Sequence, residues 1–143
     1  MKNLLFTLAL FLPLLIFSQY YTGQRVFAKK FPVEVDDKNQ DTYIHIKNSN
    51  TDIIVAVKDL TKGVVIQHAY INAKGNYKFT NIPVGTYVCM YMWTDLLGKR
   101  HYNIDDKSMA FLTNQIGGYV ITMQKSVAGN LSQSPIDEED FFN

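Results

Sequence analysis

The chain has little cysteine, little net charge and few histidines, and each shortage excludes a class of function. Cys89 is the single cysteine in 143 residues, so no internal disulfide can form. The 14 basic and 13 acidic residues nearly cancel, and the dense basic stripe that binds nucleic acid is missing. His45 and His68 could approach one another across a sheet, but no histidine has partners at metal-ligand spacing. We therefore expect no nucleic-acid partner, no metal and no cofactor.

The patterns of catalytic sites are also missing. Cys89 lies between Val88 and Met90, where a thiol is more often a small buried side chain than a nucleophile. The serines lie outside any nucleophile-elbow pattern. The pairs Asp36–Asp37 and Asp105–Asp106 lack the alternating acids and glycine of a calcium loop, so calcium binding by a loop stays open. We expect a protein that is not an enzyme.

The first 18 residues, MKNLLFTLALFLPLLIFS, predict a secretory signal peptide. Lys2 forms a basic head, Leu4–Phe17 is apolar, and Ser18 is the small residue expected before a cleavage site. A membrane-spanning helix needs about 20 apolar residues, and this run is shorter and contains a proline. We expect cleavage before Gln19 and no transmembrane segment in the mature chain. The expected location is the periplasm, the outer membrane or the cell surface.

The remaining chain, 19–143, predicts one all-β domain, a sandwich of about seven strands. Short segments that alternate in polarity or are rich in β-branched residues are separated by turn residues every 8 to 12 positions or so. Gln19–Gln40 is expected to form an extended arm or a first short strand around Arg25–Phe27, and Leu96–Met109 shows no regular pattern. The seven predicted strands are Thr42–Asn48, Asp52–Asp59, Val64–Ile71, Asn76–Thr80, Thr86–Trp93, Met109–Thr113 and Gly118–Lys125.

The predicted organisation is a signal peptide (1–18), an N-terminal arm (19–40), the sandwich (41–125) and a C-terminal tail (126–143). In the tail, four acids from Asp137 to Asp140 precede Phe141 and Phe142. Acids followed by aromatics suit a segment that reaches a basic, apolar groove. Two interpretations stay open, a tail that docks onto a partner and a tail that folds back over its own sandwich.

The segment Gly75–Tyr87, GNYKFTNIPVGTY, carries a resemblance to a known family. It resembles prealbumin-like modules, among them the regulatory domain that accompanies carboxypeptidases, whose immunoglobulin-like sandwiches share this Ile-Pro-x-Gly-x-Tyr corner. Pro83 restricts φ, Gly85 permits a backbone conformation that other residues resist, and Tyr87 can fold into the core. Tyr87 and Cys89 also have the spacing of an immunoglobulin sixth strand, but the second cysteine of that bridge does not exist.

The resemblance implies fold more strongly than function. Such modules are usually non-catalytic elements for stability, spacing or docking, and this chain has no attached catalytic domain to regulate. It is also similar to small exported proteins of Gram-negative envelopes that end in GNL…DFF. The resemblance thus implies an accessory or adaptor subunit whose partner is another envelope or outer-membrane protein. The alternative is a module that binds a carbohydrate or a peptide, with a polysaccharide as the other partner.

An aromatic group predicts where a partner would bind. Aromatic faces with polar neighbours suit sugar rings or protein partners, although a sandwich also needs aromatic residues for its core. Trp93 and Tyr102 flank a polar loop that contains Lys99 and Arg100. The candidate surface comprises Trp93, Lys99, Arg100, Tyr102, Phe141 and Phe142.

Overall fold

The computed structural model describes residues 20–48, 51–123 and 132–143, so the predicted signal peptide lies outside the described residues. Over these ranges the chain forms nine strands and one short helix, and the all-β prediction is confirmed. No helix within these ranges has the length and apolar character needed to cross a membrane. The elements are β1 (Asp41–Lys47), β2 (Ile53–Asp59), β3 (Val64–Ile71), β4 (Asn76–Thr80), β5 (Gly85–Thr94), β6 (Arg100–Asp105), β7 (Met109–Phe111), β8 (Ile116–Thr122), β9 (Gln133–Pro135) and α1 (Glu138–Phe142).

The strands form two sheets that pack as a sandwich. The small sheet has the order β4-β1-β8, with β1 antiparallel to β4 and parallel to β8. The large sheet has the order β3-β2-β5-β6-β9, and β7 pairs with the first residues of β5. Every pairing in the large sheet is antiparallel.

Alternating side chains fill the space between the two sheets. In β1, Ile44 and Ile46 are fully buried in this inner cluster. In β5, Tyr87, Cys89 and Tyr91 point to the same side. Because successive strand residues point to opposite faces, this alternation is what the sequence pattern of these strands predicts.

The outer face of the large sheet is covered as well. Ile54, Met90 and Met92 point away from the small sheet and are nevertheless buried. The segments that cover them are the N-terminal arm, through Val26, Phe27 and Phe31, and the C-terminal tail, through Ile136, Phe141 and Phe142. This double coverage explains why β2 is a continuous apolar run over most of its length rather than an alternating one.

Three parts of the chain differ from the prediction. The arm forms turns around Arg25–Phe27 and no strand there. β6 lies inside Leu96–Met109, where polar residues hide the pattern because one face of the strand is only partly covered. β9 pairs with β6 beyond Lys125, so the sandwich continues past its predicted end. Residues 126–131 of the predicted tail lie outside the described residues.

The predicted corner forms the turn into β5. Ile82 and Tyr87 are buried there, and Pro83 is partly buried. Gly85 has a φ of 158°, a positive value that residues with a side chain rarely adopt. A Cβ at this position would lie 3.0 to 3.2 Å from the Tyr87 ring and hydroxyl. The positive φ and the close approach of Tyr87 together explain the glycine, so the expectation that Gly85 permits a backbone conformation that other residues resist is confirmed.

Candidate functional site

The hairpin between β5 and β6 carries most of the predicted binding surface. The Trp93 ring is partly buried and stacks on His101, with centroids 5.3 Å apart and planes 16° apart. His101 Nε2 lies 2.8 Å from Asp95 Oδ2, and this hydrogen bond lowers the pKa of Asp95. Lys99 and Arg100 are exposed beside this pair. The base of the hairpin is thus held by side-chain contacts as well as by the strand ladder.

The tip of the hairpin presents two residues that were not predicted. Leu96 and Leu97 have relative exposures of 105% and 95%. Asp95 Oδ1 accepts hydrogen bonds from the backbone N–H groups of Leu97 and Lys99, both at 2.9 Å. Gly98, with φ of 82°, completes the turn. The sequence signal was available, because an aspartate and a glycine bracketing two residues is typical of a tight turn.

Tyr102, predicted to be exposed, lies in the outer cluster instead. Only 9% of Tyr102 is exposed, and its ring centroid is 5.2 Å from that of Phe141. Phe141 is fully buried, and Phe142 is partly buried against Phe27 and Phe31. The rings of Tyr102 and Phe141 are therefore covered and are not presented at the surface. Of the two interpretations of the tail, the structure shows the one in which it folds back on its own sheet.

The acidic run before these phenylalanines is explained by a short helix. Asp137 is the N-cap of α1, and its side chain accepts a hydrogen bond from the backbone N–H of Asp140 at 2.8 Å. Glu138, Glu139 and Asp140 fill the first turn, where negative charge is favourable. Glu138 also lies 3.5 Å from Arg100. The acids thus stay in solvent while the helix turns Phe141 inward.

The histidines lie apart from one another. His45 belongs to β1 in the small sheet, whereas His68 belongs to β3 in the large sheet. The expectation that the two could meet across one sheet is therefore wrong. His68 Nε2 accepts a hydrogen bond from the backbone N–H of Phe27, and burial lowers its pKa to about 4. Within the described ranges, no group of three or more His, Cys, Asp or Glu is placed to hold a metal ion.

The Asp105–Asp106 pair holds the last strand. Gln133 Nε2 donates to Asp105 Oδ1 at 3.3 Å. The hydroxyls of Ser132 and Ser134 donate to the two oxygens of Asp106. These hydrogen bonds lower the pKa of Asp106. The two carboxylates thus fasten β9 to β6.

Buried titratable groups lie behind this fastening. Burial raises the pKa of Asp105 to about 6, and its Oδ2 accepts a hydrogen bond from the Tyr91 hydroxyl at 2.8 Å. Cys89 is fully buried, and burial raises the pKa of its thiol well above the ordinary value. A protonated thiol without solvent access is a poor nucleophile. This cluster is a polar part of the core.

β8 is an edge strand with few features that would prevent pairing. It pairs with β1 on one side, and no described strand pairs with its other side. Ile116 and Val120 are 83% and 51% exposed. From Ser108 to Gln124 the sequence contains no charged residue and no proline, and the pairing of β8 with β1 shows no register shift. Natural edge strands usually carry charges, proline or a bulge that block further pairing.

Two shallow grooves lie among the described residues. One, of about 310 Å³, lies beside Trp93 and is also lined by Tyr20, Asp52 and Tyr70. The other, of about 620 Å³, lies between the arm and α1 and is lined by Lys30 and Arg100 among others.

A scan of protein-family models and searches of curated proteins and solved structures found no significant match to this chain.

Proposed function

We propose that this chain is an exported, non-catalytic β-sandwich that serves as an accessory or adaptor subunit of a bacterial envelope or cell-surface complex. The observation that carries the proposal is the open edge of β8. A partner protein would add an extended segment to this edge, which would continue the small sheet by one strand. In this mode of recognition the backbone hydrogen bonds supply affinity and the alternate side chains supply specificity.

The chemistry of the edge favours one kind of occupant. The exposed side chains along β8 are apolar or uncharged, with Ile116 and Val120 four residues apart. Residues at this even spacing share a face of a strand. The matching segment is an uncharged strand with apolar residues at alternate positions. A charged segment would lose its hydration without gaining an ion pair on β8.

The non-catalytic part of the proposal is supported by the state of the reactive groups. Cys89 and Asp105 are buried inside the sandwich, and the pKa of each is raised by burial. The aromatic alternative has weaker support, because Tyr102 is buried and one face of Trp93 is covered by His101. A peptide-binding module remains compatible with the edge of β8, since a peptide and a partner strand use the same backbone groups.

A photocrosslinker at Val120 tests the proposal in the native host. The expected result is one discrete adduct with another protein, whose crosslinked peptide is an extended, uncharged segment. Ile116→Lys should abolish this adduct without changing the melting temperature, because Ile116 is exposed. Leu60 carries the matched control crosslinker, since it is 48% exposed and lies between β2 and β3 in the large sheet.

The other outcomes contradict the proposal in distinguishable ways. An adduct with the mass of two copies of this chain would indicate that β8 pairs with a second copy of the protein rather than with a different partner. A crosslink from Val120 to residues 124–131 of the same molecule would show that the chain covers its own edge. Equal crosslinking from Val120 and Leu60, or none from either, would exclude the addition of a partner strand to β8.

A further inference from the structure

One end of the sandwich gathers exposed apolar and aromatic side chains. The loops at this end follow β3 and β5 and precede β2, because Ile53 pairs with both Ile71 and Trp93. Leu96 and Leu97 project from the β5–β6 turn and are almost fully exposed. We call this the hairpin end; it comprises Tyr20, Tyr21, Lys74, Leu96, Leu97 and Lys99.

The two leucines are held in place by an ordered turn. Asp95 binds the backbone N–H groups of Leu97 and Lys99, and the backbone N–H of Asp95 donates to the Lys99 carbonyl at 2.9 Å. His101 fixes the second carboxylate oxygen of Asp95, and Trp93 stacks on His101. Such a turn loses little conformational entropy when it binds. Exposure of both leucines is therefore a property of the folded state.

Tyrosines flank the leucines where the chain enters the described structure. Tyr20 is 49% exposed and borders the groove beside Trp93, and Tyr21 is 68% exposed. Tyrosine has an apolar ring and a polar tip, which suits the boundary between lipid headgroups and acyl chains.

Lysines outnumber acids among the described residues of this end. Asp52 accepts a hydrogen bond from the backbone N–H of Ala73 at 2.8 Å, and Asp95 is held as described above, but both keep their negative charge. Three exposed lysines, Lys47, Lys74 and Lys99, stand against these two acids. Lys74 and Lys99 are exposed, and neither forms an ion pair with any residue in the described ranges. Cations beside exposed apolar side chains match a surface with negative charge above an apolar layer.

We propose that the hairpin end binds an anionic lipid surface, with Leu96 and Leu97 inserted at the acyl boundary and Lys74 and Lys99 on the phosphate headgroups. A lipid surface fits better than a protein pocket because both leucines project fully and the surrounding residues are tyrosines and lysines. The contact area is small, so the expected binding is weak, reversible and reduced by salt. It does not depend on the edge of β8, which belongs to the other sheet.

Vesicle flotation of the protein recovered from its host tests this proposal. We expect binding to phosphatidylcholine vesicles that contain 30 mol% or so of phosphatidylglycerol, and at least tenfold weaker partitioning onto phosphatidylcholine alone. The double variant Leu96→Ser, Leu97→Ser should lower partitioning about tenfold or more, and Lys74→Gln with Lys99→Gln several-fold. All four side chains are exposed, so the melting temperature should not change.

Matched controls lie at the opposite end of the sandwich. Leu112 is 67% exposed in the β7–β8 turn, beyond the pairing of Phe111 with Gly85. Leu112→Ser, and Lys38→Gln with Lys107→Gln, should leave partitioning within about twofold of the parent. Trp93 is the only tryptophan and lies at the base of the hairpin, so lipids brominated on the acyl chains should quench its fluorescence.

Three results would overturn the proposal. One is equal flotation of the parent and the leucine double variant, and another is equal binding to neutral and anionic vesicles. The third is absence of flotation of the parent on anionic vesicles. The crosslink from Val120 is measured in a separate experiment. Failure of lipid binding would therefore not contradict the adaptor proposal.

Discussion

At the scale of single residues, Gly85 is set by its neighbour Tyr87. The Tyr87 ring is buried and packs against Phe111, with centroids 5.9 Å apart, so it cannot move aside without disturbing the inner cluster. Glycine is needed at position 85 because any Cβ there would press on this ring. The sequence identified the correct residue and the backbone reason for it, whereas the contact with Tyr87 depends on a rotamer that only the packed core selects.

Gly85→Val is expected to destabilise the fold by about 1 to 3 kcal/mol, the usual cost of inserting methyl groups into a packed core. Urea denaturation measures the change in the free energy of unfolding. The neighbouring Val84 is 48% exposed, so Val84→Ala should change stability by no more than about 0.5 kcal/mol. Similar midpoints for Gly85→Val and the parent would show that the Tyr87 ring is not held as described.

His68 and Asp105 have opposite effects on stability between about pH 4 and pH 6. Folded His68 stays neutral down to about pH 4, whereas its unfolded pKa is 6.5, so its contribution is lost as the pH falls. Folded Asp105 stays protonated up to about pH 6, whereas its unfolded pKa is 3.8, so its contribution is lost as the pH rises. The two effects should largely cancel in the parent.

Two substitutions should reveal these opposite slopes. In Asp105→Asn the titration of His68 is no longer opposed by that of Asp105, so stability should fall more steeply than in the parent as the pH falls from 6 to 4. In His68→Gln only Asp105 remains, so stability should rise over the same change. Each slope should approach about 1.4 kcal/mol per pH unit relative to the parent. Denaturation at several pH values measures them; slopes of the same sign would contradict this account.

At the scale of elements, the arm and α1 act as the cover of the large sheet. The Phe31 ring lies 5.8 Å from that of Phe141, and both side chains are buried. The cover therefore joins two segments far apart in sequence. The acidic run is the local signal that could have predicted α1, because an aspartate followed by three acids is typical of a helix N-terminus.

Phe141→Ala should destabilise the protein by about 3 to 5 kcal/mol, as expected for a fully buried phenylalanine. Phe142 is its matched control, because it is the next residue, is only partly buried, and should cost clearly less on replacement. Deletion of 135–143 should lower the melting temperature at least as much as Phe141→Ala. An unchanged melting temperature after the deletion would mean that the tail does not contribute to the fold.

At the scale of the whole molecule, the open edge of β8 and the hairpin end lie on different sheets. If both proposals hold, the protein could bind a partner strand and a lipid surface at once. Export is the condition that would bring it to such a surface, and the basic head and apolar run of residues 1–18 predict it.

The expected mature protein begins at Gln19 or within a residue or two of it. Intact-mass spectrometry of the protein from its own host checks this, because loss of 1–18 changes the mass unmistakably. Retention of Met1 would contradict the exported location. The flotation experiment would still be valid, because each variant is compared with a parent that has the same N-terminus.

The sequence by itself determined the class of the fold, because strand alternation and turn residues act over a few positions. Ile44 and Ile46 already indicated which face of β1 is buried, and the Ile-Pro-x-Gly-x-Tyr segment marked the turn into β5. The lone cysteine excluded an internal disulfide without any structure. These conclusions needed only the neighbours of each residue along the chain.

The tertiary structure alone decided which apolar residues are covered and by what. Tyr102 and Leu97 are both apolar residues near the same turn, yet one lies beneath Phe141 and the other projects into solvent. That difference depends on a tail about 40 positions away in sequence. The parallel pairing of β1 with β8, whose outer edge has no partner among the described strands, also joins segments that are far apart in sequence. Local periodicity cannot encode such contacts, because they follow from how distant segments compete to cover the same face.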